Sequence, residues 1–308
     1  MTENLNGLRV LAVHAHPDDE ALFTGGVLAK LRRLGAHVEL LTATLGEEGE
    51  VIGETFSQLT VDNANLLGGF RVLELDAASE ALGIHYRLLG GAGHFRDSGM
   101  AGSPAHENPR ALVNRVGEAR ELIARHIDDA RPHLIFTYGP DGGYGHPDHI
   151  AVHRAVHGAI EDSQWAVPRV WWAVISRADA YAALETIVPP EGWTKPDKAY
   201  LDNFTNEGYD VALELDDVDF AAKHDALAAH ATQIWMADGT VSRTNPHAAI
   251  ATMKEPSVAS HAFALSNLYT MALTRREHFQ LGHGQLPPSV DPAAAHGAAA
   301  LIGGIDYE

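Results

Sequence analysis

Short apolar runs alternate with amphipathic stretches along the first two-thirds of the chain, a rhythm that parallel strands joined by crossover helices satisfy. Strands buried on both faces read as continuous apolar runs, which is how residues 8–13, 38–44, 134–138 and 170–175 read, with another strand beginning at residues 86–89. Between them, residues 20–34 form a predicted helix stopped by Gly35, residues 111–130 and 147–160 form two more, and residues 59–82 read as mostly helical. Gly68-Gly69 inside the last of these equally marks a break. The expectation is an α/β fold: a Rossmann-like, doubly wound, mostly parallel sheet with right-handed crossovers.

With 308 residues and 45% apolar content, the chain can bury one large core, or one core with an appended lobe. Residues 1–176 are expected to form the core and residues 177–281 a smaller lobe shaping its pocket. In that lobe residues 211–215 read as strand and 218–231 as helix. Residues 90–110 form a long Gly-rich loop, a length usually reserved for function or disorder. Residues 282–308 form a Gly/Pro/Ala-rich tail, expected to be poorly ordered or loosely docked. No repeat of fixed period is present.

Composition removes several classes of function. A formal charge of -19 and no dense Lys/Arg tract argue against nucleic acid as a partner. No apolar run is long enough to cross a bilayer and residues 1–7 lack the pattern of a signal peptide, so no membrane partner and a cytoplasmic location are expected. Oligomeric state is left open. The absence of Cys excludes thiolate nucleophiles and Cys-ligated metals, so any metal must sit on nitrogen and oxygen. Most of the 19 His lie singly in polar surroundings, where a solvated imidazole is the default.

Two segments stand apart because they resemble each other: His16-Pro17-Asp18-Asp19-Glu20 and His146-Pro147-Asp148-His149. Each follows an apolar strand and opens a helix, so both belong on the rim where open α/β sheets bind ligands. Helix capping alone explains Pro at the first helical position and acids in the first turn. It leaves both His unexplained, and their recurrence favours a metal site of imidazoles and a carboxylate. His16, Asp19 and His149 supply that set, with an open position for water. Asp18 is the adjacent base. His146, if protonated, can stabilise an oxyanion or protonate a leaving amine, with Asp148 holding it charged. His149, His153 and His157 also recur at helical spacing, but without the Glu a helical zinc motif needs, and His153 and His157 read as solvated.

Residues 15–20 (AHPDDE) with 146–149 (HPDH) resemble the LmbE/PIG-L superfamily of zinc-dependent amino-sugar deacetylases. Further stretches, LGEEGEVIG (45–53), GGAG (90–93), RDSGMAG (96–102), GGYG (142–145) and AAHATQ (228–233), are similar to its mycothiol-biosynthesis branch, which acts on N-acetylglucosaminyl-inositol. The likeness spans most of the chain up to about residue 267; residues 177–210 and those after 267 depart from it. It implies one Zn2+ per chain on His16, Asp19 and His149, with Fe2+ able to replace it, Asp18 as general base, and His146 as acid or oxyanion stabiliser oriented by Asp148. It also implies that Tyr144 can swing toward the carbonyl oxygen, and that Glu50, Arg71, Asp97, Met100 and Asn267 contact a small-molecule amino sugar. The alternative activity is cleavage of mycothiol S-conjugates or another glycosyl amide. From other classes, a facial-triad iron oxygenase needs more open positions and commonly uses a β-barrel. A nucleotide-binding module needs a Gly-rich turn where residues 14–19 stand, and a non-catalytic binding protein has no need of Asp18.

Overall fold

The computed structural model describes residues 4–287 and 297–307. Five apolar runs become parallel strands: β1 (Arg9–His14), β2 (His37–Thr42), β3 (His85–Leu88), β4 (Leu134–Tyr138) and β5 (Arg169–Val174). They lie in the order β3-β2-β1-β4-β5, so the chain winds outward from β1, returns, and continues past β4 in the other direction. The carboxyl ends of β1 and β4 therefore flank the switch point, where the diverging loops leave a crevice.

Strand alternation explains the two packed layers. Val10 and Ala12 face one side with Leu40 and Phe136, against α1 (Gly25–Arg33), α2 (Leu67–Leu82) and the helix Asp217–Ala229. Leu11 and Val13 face the other with Leu41 and Ile135, against α3 (Val116–Ala130) and α4 (Pro147–Asp162). Each such fully buried aliphatic or aromatic side chain stabilises the fold by about 1.5–3 kcal/mol relative to exposure.

Two expected helices are shorter than the sequence suggested. Asn65 turns left-handed at φ 53°, which no α-helix continues through, so α2 begins at Leu67 with Gly68-Gly69 in its first turn. Residues 112–114 form a separate 3₁₀ turn before α3. The segment ahead of α1, Glu20–Thr24, is a π-helical turn, a rare geometry found often at functional sites.

The largest difference lies beyond residue 176. The strand Arg276–Gly284 pairs antiparallel with β5, and Val211–Glu214 pairs antiparallel with it, completing a seven-stranded sheet. The later residues thus extend the core sheet, and residue 176 marks no break in it. Glu277 reaches from this strand to the start of α1, accepting from the Gly26 and Val27 amides at 2.8 and 2.7 Å and from Lys223 at 2.6 Å. A small sheet of Trp235–Met236, His261–Ala264 and Met271–Leu273 packs outside.

The expectation of a loosely docked tail fails for the described part of it. Residues 282–284 finish a sheet strand, and Ala298, Ala300, Leu301 and Ile302 are buried. Arg169 binds them, donating to the carbonyls of Gln285, Leu301 and Gly303 at 2.8, 2.6 and 3.1 Å. Residues 288–296 and 308 of that tail lie outside the described residues. Among the described residues no helix is long and apolar enough to cross a membrane.

Candidate active site

The turn after β1 carries an unusual backbone. Asp18 has φ 122°, a region non-glycine residues rarely enter and that costs about 1–3 kcal/mol. Three contacts hold it: its N–H donates to Glu20 Oε2 at 3.1 Å, its Oδ2 meets Arg71 Nη2 at 3.0 Å, and Arg71 also donates to the Pro17 carbonyl. Arg71 stands on α2, and Gly68 lets that helix approach. A Cβ there would lie 2.6 Å from Glu47 Cγ and 3.0 Å from Leu45 Cβ.

The turn after β4 is built differently. Gly142 has φ +68°, and a Cβ on it would sit 2.8 Å from that of His149. His146 caps α4, its Nδ1 accepting from the Asp148 amide at 3.1 Å, with Pro147 at the first helical position.

The two turns bring His16, Asp19 and His149 together. His16 Nδ1 lies 3.3 Å from His149 Nε2, His149 Nε2 lies 3.3 Å from Asp19 Oδ1, and His16 Nδ1 lies 3.4 Å from Asp19 Oδ2. Ligands about 2.0–2.1 Å from a tetrahedral zinc stand about 3.3–3.4 Å apart, the spacing found between the two imidazole nitrogens and between His149 Nε2 and Asp19 Oδ1. The surrounding bonds leave the right atoms free. His149 Nδ1 donates to the Gly142 carbonyl at 3.0 Å, which assigns the lone pair to Nε2. His16 Nε2 donates to Asp148 Oδ2 at 3.2 Å, which frees Nδ1. Asp19 Oδ2 accepts from Tyr138 Oη at 2.6 Å and from the His16 amide at 2.8 Å, leaving Oδ1 uncommitted. The residues present therefore fit a divalent ion. His146 offers a further nitrogen, all three imidazoles having one within 4.8 Å of the others.

Charge follows the same plan. Burial alone would lower the His16 pKa, but Asp97 beside it and its bonds to Asp148 and Asp19 raise it well above the usual value. Burial would raise Asp19, and the His149 and His16 imidazoles hold it well below the carboxylate range. Such a cluster favours positive charge. Burial pushes Asp18 up to about 6, with Arg71 opposing and Asp19 adding to the rise, which suits a base working near neutral pH. Burial brings His146 down to about 3, so this imidazole is neutral and, with Nδ1 accepting, carries its proton on Nε2.

That corrects one expectation. The Asp148 carboxylate binds His16 and the Ser98 amide, the latter at 2.9 Å, and does not hold His146 charged. Arg71 also differs from a free sugar contact: it is buried and committed to Asp18, Pro17 and the Gly46 carbonyl. Asp97 lies 3.5 Å from His16 Nε2 and accepts from the Gly99 and Glu48 amides. Tyr144 is 44% exposed, its ring 5.0 Å from His149 and 5.9 Å from His146. Glu50 and Met100 are exposed on loops after β2 and β3, on the same rim. Asn267 donates to Tyr200 Oη at 2.8 Å, away from the cluster's bonds. His153 and His157 are half-buried rather than solvated: one bonds the Tyr138 carbonyl and the other accepts from Trp172.

Sequence reasoning missed Tyr138. It stacks on His149 at 4.1 Å and 11°, holds Asp19, and accepts from the Ala15 amide at 2.7 Å. As the last residue of an apolar strand it reads as core; its position at the carboxyl end was the available signal. His230, paired with Glu20 at 2.5 Å, was missed as well. Burial opposes charge on both, and their mutual attraction overcomes it, lowering Glu20 and raising His230.

The family described as PIG-L, GlcNAc-PI de-N-acetylase, matches residues 11–160, which hold both turns. A protein of Corynebacterium efficiens named 1D-myo-inositol 2-acetamido-2-deoxy-alpha-D-glucopyranoside deacetylase is 50% identical over 297 residues, 96% of this chain and 93% of that one. The chain belongs to the PIG-L family. A protein of the same name from Corynebacterium glutamicum is 46% identical over 308 residues, covering both chains in full, so the likeness to these relatives extends well past residue 267. Among solved structures, a deacetylase–teicoplanin complex aligns over 89% of this chain and 98% of its own, with TM-score 0.51 and 18% identity, which shows a shared fold alone.

Proposed function

We propose that the chain hydrolyses the N-acetyl group of 1D-myo-inositol 2-acetamido-2-deoxy-alpha-D-glucopyranoside, giving acetate and the free amine in mycothiol biosynthesis. The observation that carries the chemistry is the convergence of His16, Asp19 and His149, their nitrogens and carboxylate oxygens 3.3–3.4 Å apart, beside the base Asp18. The substrate is supported by the full-length relatives that bear its name. This reading makes the partner a small-molecule sugar, the metal zinc, and the location cytoplasmic.

A zinc ion on these ligands would supply Lewis acidity to the acetyl carbonyl and to water. Asp18 takes a proton from the attacking water and, as an acid with a pKa of about 6, returns one to the departing amine. His146, neutral with its proton on Nε2, donates a hydrogen bond to the oxygen that gains charge. Tyr144, on a turn where Gly142, Gly143 and Gly145 all have positive φ, donates a second after a short swing. Asp148 keeps its place as an orienting residue, now for His16. Asp97, Glu50 and Met100 contact the sugar from the loops after β2 and β3, and Asn267 from the outer sheet. Arg71 acts on the sugar through the loops it ties together.

The test is release of free amine from N-acetylglucosaminyl-inositol, N-acetylglucosamine and a mycothiol S-conjugate, with metal analysis of the protein. Fastest turnover of the first is expected. Preference for the conjugate overturns the substrate. Asp18→Asn should lower kcat by about 10²–10⁴-fold with metal retained, the usual contribution of a general base.

A further inference from the structure

We propose that the buried His230–Glu20 pair is a clamp that holds Asp18 in its left-handed conformation and so aims its carboxylate, making His230 a positioning residue. The inference rests on the reading of Asp18 as the base. Its starting point is that Asp18 at φ 122° needs something to hold it, because the unstrained alternatives are lower in energy by about 1–3 kcal/mol.

The Asp18 N–H donates to Glu20 Oε2, and Glu20 Oε1 is bound at 2.5 Å by His230 Nε2. The two oxygens of the Glu20 carboxylate thus link the Asp18 amide to His230, and the pair is completely buried. His230 stands just beyond the helix Asp217–Ala229, its own amide donating to Leu227, 210 residues from Glu20 in sequence. Its Nδ1 has no hydrogen-bond partner among the described residues, so Glu20 is the one hydrogen-bond partner of the ring there, with the Asp18 and Glu74 carboxylates acting on it through charge alone. A buried imidazole held only for packing would be better served by a phenyl ring.

The residues that follow make the same connection from other sides. Thr232 donates through N and Oγ1 to Glu74, at 2.8 and 2.7 Å, one turn along α2 from Arg71. The Thr232 carbonyl accepts from Ile52 at 3.0 Å, and Gln233 donates to the Glu50 carbonyl at 2.9 Å. One short segment of the later chain therefore braces Asp18 through Glu20, braces the helix that presents Arg71 to Asp18, and braces the loop bearing Glu50.

His230→Phe removes the donor and keeps a flat aromatic ring, slightly larger than the imidazole, and His230→Gln keeps a donor. For His230→Phe, kcat should fall by about 10–100-fold, the penalty of a displaced reacting group, while KM stays within about threefold and metal content stays at the wild-type value. His230→Gln should recover most of that loss. A crystal structure of His230→Phe should show Asp18 out of the positive-φ region. The proposal is overturned if a folded His230→Phe keeps wild-type kcat, if its loss tracks metal content, if Gln does no better than Phe, or if Asp18 keeps its φ. Should His230→Phe not fold, Glu20→Met carries the same test, since it removes the acceptor and leaves a neutral imidazole. Wild-type protein in the same assay separates the two readings. No amine release by wild type defeats the proposed hydrolysis, whereas an active wild type beside an equally active His230→Phe defeats only the clamp.

Discussion

Replacing Tyr138 by Phe isolates one hydroxyl at the centre of the site. The phenyl ring keeps the stack on His149, at 4.1 Å, so only the oxygen's two bonds are lost. The first, 2.6 Å to Asp19 Oδ2, is a bond to a charged acceptor, worth about 1.5–3 kcal/mol. Asp19 Oδ2 retains the His16 amide, so the ligand is loosened rather than freed, and its more basic carboxylate offsets part of the loss. The expected result is zinc binding weakened by about 10–100-fold, equal to about 1.4–2.7 kcal/mol at 1.36 kcal/mol per decade. The second bond, from the buried Ala15 amide, leaves an orphan donor that lowers the stability of metal-free protein by about 1–3 kcal/mol. Competition against a chromophoric chelator measures the first effect, and urea unfolding of the metal-free protein the second. A folded Tyr138→Phe that binds zinc within twofold of wild type would refute the reasoning.

Three further outcomes follow from the geometry. If Asp18 is the base, as proposed, it acts only when deprotonated; burial pushes its pKa up to about 6, so kcat/KM should rise with pH up to about 6 and level above it. Arg71→Met removes the opposing charge and should move that limb upward; a limb that stays put or falls counts against the assignment. Dialysis against a strong chelator should abolish amine release, and one equivalent of zinc should restore it; activity that survives complete removal excludes a metal hydrolase. Gly68→Ala should destabilise by about 1–3 kcal/mol because its methyl meets Glu47 and Leu45, whereas Gly69→Ala, with nothing within 4 Å, should stabilise by about 0.5–1 kcal/mol. Equal effects in urea titrations would show that helix propensity alone governs this turn.

The parallel half of the sheet and the two His-Pro-Asp turns were legible because both depend on local pattern. Apolar runs separated by amphipathic ones fix parallel pairing, and that pairing puts both turns on one rim. Residues whose roles arise from convergence were not legible. Arg71, expected as a sugar contact from the family likeness, turns inward to Asp18 and Pro17 because Gly68 lets α2 close on the Leu45–Glu47 loop. Asp148 sits next to His149 and two residues from His146, yet its carboxylate serves His16, 132 residues away. The strand Arg276–Gly284 escaped notice for a related reason: Glu277 and His278 interrupt its apolar character, and only their partners, the α1 amides with Lys223 and Asp179, make their burial tolerable.

That strand has a consequence for how the molecule comes into being. It is wedged between β5 and Val211–Glu214, and its Glu277 caps the helix that follows the turn bearing His16 and Asp19. During synthesis the β5 edge stays open, and the α1 amides stay uncapped, until residues 276–284 have left the ribosome. Completion of the crevice therefore waits for residues 276–284, and a chain halted at residue 275 would carry His16, Asp19 and His149 yet present an adhesive strand edge in place of a finished sheet.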